Sequence, residues 1–192
     1  DYRTINPKGK VPALVMGAEV LTEGPSILQF IADRAGNEGL APKAGTLARA
    51  RVNELLNFTG TEVHVAFHPL FNPAADDAAK DVARKSVGKK FDWLESRLSD
   101  GRDYLTGATF TVADAYAFVV SNWANFTGID LGSWPNLKAF VERVALRLAD
   151  NKRVASRNSK VPSLLQGLAA CSGCGYGYYR TSTRTTTNKK IY

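Results

Sequence analysis

Cysteine is almost missing from this chain of 192 residues: there are two, Cys171 and Cys174, set three positions apart. One close pair builds no disulfide framework, which excludes the stapled secreted folds and fits a reducing, cytoplasmic setting. The pair has redox or metal spacing but lacks a strand-to-helix context and a second pair of ligands. Histidine is equally sparse. His64 and His68 lie at i, i+4 with Pro69 directly behind and no third ligand in view, so no metal is expected. No apolar run approaches the roughly 20 residues that cross a bilayer, which excludes a membrane helix. A basic-then-apolar leader is missing too, and a first residue of Asp1 reads as a fragment or a processed chain.

Acidic residues are missing from one end only. Residues 1–151 hold all 18 Asp and Glu against 17 Lys and Arg, so this body is close to neutral. Residues 152–192 hold 8 basic residues and no acid, and the net charge of +7 belongs to them. That stretch is also rich in Gly, Ser and Thr, with one short apolar patch at 164–170. Its composition predicts a basic, disordered tail over 151–192, because it buries too little apolar surface to offset its chain entropy. A phosphate contact by Tyr176, Tyr178, Tyr179 and Arg180 is conceivable chemistry, but a solvated tail is the better reading, so neither nucleic acid nor membrane is expected as a partner. The whole chain, at 44% apolar and 22% charged, has the composition of a soluble globular protein.

The pattern along the body is strand, strand, helix, then helices only. Residues 11–16 and 19–22 read as paired strands, with Gly17-Ala18 as a two-residue hairpin turn in which Gly takes the positive φ. Pro12 lacks a ladder donor and belongs at a strand start. Gly24-Pro25 opens a helix, with Pro at the first helical position and residues 27, 28, 31 and 35 on its buried face. Gly36 stops it, so residues 1–36 form one unit and 37–45, with Pro42 inside, a linker. The third unit, residues 46–150, is all helical. One long helix is predicted over 46–66, a break at 68–73, and a second long helix over 76–99. Phe110-Thr-Val-Ala-Asp114 has the form of a capping box, with Thr111 and Asp114 answering each other's backbone amides at the start of a helix. A last helix begins near Pro135 and turns Leu137, Phe140, Val144 and Leu148 inward.

Polar residues collect at two places. Glu23-Gly24 lies where a strand delivers the chain to a helix N-terminus, a position whose free amides and dipole favour an anion. Asn53, Asn57, Gly60 and His64, at spacings of 4, 3 and 4, form a stripe on one helix face.

The strings Asn6-Pro-Lys-Gly-Lys-Val-Pro-Ala-Leu14, Leu21-Thr-Glu-Gly-Pro-Ser-Ile27 and Asn57-Phe-Thr-Gly-Thr-Glu-Val-His64, with the box at 110–114, together resemble the glutathione S-transferases, and among them the bacterial beta class. The resemblance covers about residues 4–147. It implies the last ββα of a thioredoxin-like domain followed by an all-helical domain, dimeric through the two long helices. It also implies glutathione as co-substrate, a small electrophile as second substrate and thiol addition as the reaction. Carried over by position, Val11 offers a strand edge ahead of a cis Pro12, while Glu23 and Gly24 hold the γ-glutamyl end. Asn57, Thr61, Glu62, Val63 and His64 then close the cleft. In relatives a Ser commonly follows the Glu and a Lys follows the His; Gly24 and Val65 stand there instead. Thr111, Asp114 and Pro12 come over as structural residues. The catalytic, thiol-activating group of the family is expected upstream of Asp1. A non-catalytic binding or dimerisation module is the alternative reading.

Overall fold

The computed structural model describes residues 1–154, with side chains to Asn151; residues 151–154, the first of the expected tail, are still helical, and 155–192 lie outside the described residues. Residues 1–144 form one compact unit, and the described residues from 145 onward belong to a second. The first opens with a short 3-10 turn (Tyr2–Thr4) and continues with β1 (Ala13–Met16), β2 (Glu19–Thr22) and α1 (Gly24–Arg34). Then come α2 (Leu47–Phe58), a π-helical turn (Thr59–Val63), α3 (His64–Ala66), α4 (His68–Phe71), α5 (Asp77–Leu98), α6 (Val112–Asn122) and α7 (Ala124–Thr127). A 3-10 turn (Leu131–Ser133) leads into α8 (Pro135–Val154), which begins in the first unit and ends in the second.

β1 and β2 pair antiparallel, with Ala13 opposite Thr22 and Met16 opposite Glu19. The turn is Gly17-Ala18, and Gly17 takes φ 60° as the hairpin requires. In α1, Gly24 is the first helical residue, so Pro25 is the second and not the first. Ile27 and Ala32 are its buried residues, while Ala35 is exposed because the helix has already ended there.

The linker between α1 and α2 is fastened at three points. Ala41 is buried, the Leu40 carbonyl accepts from the Val112 amide at 2.9 Å, and the Pro42 carbonyl accepts from Arg49 at 2.9 Å. Thr46 caps α2 by accepting from the Arg49 amide at 3.2 Å, and Asp76 caps α5 by accepting from Ala79 at 2.7 Å. The start of α8 is capped from another helix. The Glu95 carboxylate of α5 accepts from the backbone of Asn136 at 3.1 Å and of Leu137 at 2.8 Å.

The expected helix over 46–66 is interrupted by the π turn, which ends α2 at Phe58. The expected break at 68–73 contains α4: the chain turns at Phe67, is helical again over His68–Phe71 and is then non-helical up to α5. The second long helix and the last one fall where the pattern put them. The core gathers Val52, Leu55, Leu56, Val63, Phe67, Val87, Phe91, Leu94, Leu137 and Phe140, each at most 1% exposed. Burying a side chain of this size stabilises a fold by roughly 1.5–3 kcal/mol.

α6 runs through the middle of this core. Instead of one inward face it buries Val112, Ala113, Asp114, Ala115, Ala117, Phe118, Val120 and Ser121 on all sides, the pattern of a central helix. Its capping box is present, and the acid makes the stronger half. Asp114 accepts from the amides of Thr111 and Leu105, both at 2.7 Å, and from the Thr111 hydroxyl at 2.8 Å. Burial pushes the Asp114 carboxyl up, against the downward pull of those three donors.

Candidate functional site

One wall of the site is built by the loop before β1 and by the β2–α1 junction. Asn6 is buried and organises the loop: its Oδ1 accepts from the Lys8 amide at 3.1 Å and its Nδ2 donates to the Lys10 carbonyl. Tyr2 donates to the same carbonyl at 2.7 Å. The chain then presents Val11, which is 80% exposed, ahead of a cis bond to Pro12, the geometry the family resemblance implied.

Glu23 follows β2 with φ 71° and ψ 114°, and it is the non-glycine residue with positive φ among those described. A side chain in this region costs of order 1–3 kcal/mol and persists where the surroundings fix it. Its exposed carboxylate takes the Lys8 ammonium at 2.6 Å, and Lys8 also reaches the Thr22 hydroxyl at 3.1 Å. Gly24 then opens α1 beside Pro12, where an added Cβ would lie 3.9 Å from the ring. The first amides of a helix have no partner within it and carry partial positive charge.

The other wall is the π turn and its flanks. Asn57 and Thr61 are exposed, and the Thr61 hydroxyl donates to the Asn57 carbonyl at 2.9 Å. Glu62 is exposed and paired with Lys90 of α5. Val63, grouped with them in the sequence reading, turns its side chain into the core at 1% exposure. Asn53, at the head of the polar stripe, is half-buried, and its Oδ1 has no hydrogen-bond partner among the described residues.

His64 is half-buried in an aromatic nest. Trp123 meets it edge-on with ring centroids 4.7 Å apart, His68 at 5.8 Å, and Trp123 in turn packs on Phe67 and Phe71. Its Nδ1 lies 2.8 Å from the Tyr116 hydroxyl of α6. Burial, and then the charge of His68, hold His64 below the usual histidine range.

Tyr116 and Lys8 are the residues that sequence reasoning missed. Tyr116 follows Asp114 by two positions, so the capping box places it, yet nothing local marks its partner 52 residues away. Its ring edge lies over Gly60, where an added Cβ would be 3.6 Å from the hydroxyl. Burial raises its pKa, and the Glu23 carboxylate raises it further. Tyr116 thus lies between the two walls: bonded to His64 on one side and within the field of Glu23 on the other.

The sequence pattern described as "Glutathione S-transferase, C-terminal domain" matches residues 58–147. The glutathione S-transferase GstA of Escherichia coli O157:H7 is 36% identical over 148 residues, which is 77% of this chain and 73% of that protein. A sphingomonad glutathione S-transferase solved in complex with glutathione superposes with a TM-score of 0.71 at 45% identity, covering 76% of this chain and 72% of that one. The chain belongs to the glutathione S-transferase family. Its β1-β2-α1 unit is the thioredoxin-like part of that fold, and the helices from Leu47 onward are the helical domain. Within the family it is similar to the bacterial beta class: the Sphingomonas chungbukensis enzyme of that class superposes at 0.72 with 44% identity over 77% of this chain and 73% of its own.

Proposed function

We propose that this chain is a glutathione-conjugating transferase subunit whose described residues form the glutathione side of the site. The observation that carries the reading is the Glu23–Gly24 junction: an acid held at φ 71° at the mouth of a helix N-terminus, beside the exposed Val11 edge. Glutathione is an extended tripeptide with an ammonium and two carboxylates. Val11 pairs with its cysteinyl backbone as an added strand would. Gly24 and the α1 dipole receive the γ-glutamyl carboxylate, and Glu23 exchanges Lys8 for the ligand's ammonium. Asn57, Thr61, Glu62 and His64 face the ligand from the π turn and the helix ends on either side of it, with Val63 fixing that turn in the core. The reaction is addition of the glutathione thiol to a small electrophile. None of the described residues is assigned to thiol activation.

The functional unit is a homodimer through the two long helices. Leu47 on α2 and Val82 on α5 are 73% and 68% exposed, and Trp93 of α5 lies on Phe58 of α2 at 4.3 Å with a surface still open. A near absence of cysteine fits a cytoplasmic site of action. No helix among the described residues is long and apolar enough to cross a membrane.

Calorimetric titration with glutathione, beside a conjugation assay with a generic aromatic electrophile, tests the reading. Binding that weakens in Glu23→Ala is the expected result, and turnover that follows the same order makes the chain a transferase. Binding without turnover supports the glutathione site and leaves the reaction unassigned to these residues, and no binding by the unaltered chain overturns the site.

A further inference from the structure

We propose that Tyr116 is a positioning residue for His64: its hydroxyl donates to Nδ1 across 2.8 Å and so fixes Nε2 as the one N–H that the ring offers a ligand. The inference rests on the reading of His64 as a glutathione contact. A neutral imidazole has one donor and one acceptor nitrogen, and the bond made by one settles the role of the other. Tyr116 has no other hydrogen-bond acceptor among the described residues. Donating to Nδ1 therefore satisfies the phenol, whereas accepting from Nδ1–H would leave its proton unpaired in a half-buried place.

The charge states agree with this arrangement. Burial favours neutral His64, and burial together with Glu23 favours the protonated phenol, so each partner is held in the form that the bond needs. The ionisable groups facing the ring are Tyr116 on α6 and His68 on α4, with Glu23 beyond Tyr116.

The geometry is rigid at both ends. Tyr116 rises from a helix buried on all sides, and its hydroxyl packs over Gly60 in the π turn. His64 starts directly after that turn and is clamped edge-on by Trp123. A donor at Nε2 suits the electron-rich atoms of glutathione, its carboxylates or its sulfur. The opposite tautomer would present a lone pair to the same atoms and repel them. Tyr116 thus decides the sign of the interaction without touching the ligand.

Long-range proton–nitrogen NMR of the labelled full chain reads the tautomer directly. The expected result is a single His64 form with its proton on Nε2, giving way in Tyr116→Phe to a mixture of both forms. Glutathione affinity, by calorimetry, should fall about fivefold in Tyr116→Phe, the loss of one ordinary hydrogen bond's ordering, and at least as far in His64→Ala. A proton on Nδ1 in the unaltered chain overturns the proposal. Loss of affinity in His64→Ala with none in Tyr116→Phe overturns it while leaving His64 as a contact. Unchanged affinity in both variants removes His64 from the site, and the positioning role with it.

Discussion

Arg49 grips Asp33 with both ends of its guanidinium, Nη1 to Oδ1 at 2.8 Å and Nη2 to Oδ2 at 2.6 Å. Arg49 stands on α2 and Asp33 on α1, so this one fork ties the ββα part to the first helix of the helical domain. The arginine side chain is only 9% exposed and also holds the Pro42 carbonyl and Gln29, which leaves a lysine unable to replace it. Arg49→Lys should lower stability by about 1–2 kcal/mol, read as a shift in the urea midpoint. Asp33 is half exposed, so its share is modest. Its hydrogen bond to Arg49 holds the Asp33 carboxyl below the usual range. A depressed carboxylate stabilises the fold above its unfolded value and loses that effect as pH falls through the folded one. The gap between the natural chain and Arg49→Lys should therefore narrow below about pH 4. A midpoint unmoved by the substitution would show that the fork is ornamental.

The capping box at Thr111 separates two costs. Thr111→Ala removes one hydroxyl and should destabilise the helical domain by about 1 kcal/mol. Asp114→Ala removes the acceptor of two buried amides, those of Leu105 and Thr111, and should cost roughly 3 kcal/mol. Chemical denaturation of both variants gives the ratio. Equal effects would mean that Asp114 does no more than cap, and that the Leu105 loop is held by something else.

What could be seen in the sequence was local. Gly17-Ala18 announced the hairpin, Thr111 and Asp114 the start of α6, and Pro135 the start of α8, because each turn or cap needs particular residues within three or four positions. The Glu23-Gly24 junction was visible for the same reason. The π turn was not, since Asn57, Gly60 and His64 keep their spacing whether that turn closes to the fourth or the fifth residue. The burial of α6 on every side was also hidden: a capping box marks where a helix starts and not what surrounds it, yet Ala113, Ala117 and Ser121 are each at most 1% exposed. Arg49–Asp33 and His64–Tyr116 join residues 16 and 52 positions apart, and pairs at such distances leave no local mark.

His64 carries a pH dependence whose direction follows from its burial. Its folded pKa lies below the ordinary histidine value of about 6.5, so the unfolded chain binds a proton that the fold resists. Stability supplied by the neutral ring is complete above about pH 6.5 and is lost as pH falls toward the folded value. Denaturation midpoints measured from pH 7.5 down to pH 5 should fall for the natural chain, and the fall should be shallower in His64→Gln. Parallel curves for the two proteins would place the titration elsewhere.

Glu23 sets stability against binding. At φ 71° and ψ 114° it holds a backbone shape that glycine adopts freely and other residues resist. Its ion pair with Lys8 is exposed on both sides, 56% and 65%, and contributes little to the fold. Glu23→Gly should therefore relieve of order 1 kcal/mol of backbone strain. Part of that gain is returned, because glycine also widens the unfolded ensemble. The expected outcome is a urea midpoint equal to or above that of the natural chain. The same substitution removes the carboxylate proposed to meet the ammonium of glutathione, so the affinity for glutathione should fall by at least tenfold, about 1.4 kcal/mol. Strain retained at a position that glycine would relax makes sense where the side chain is needed. A Glu23→Gly protein that loses stability and keeps its affinity would mean that the acid is held for the fold and that the ligand's ammonium is met by another group.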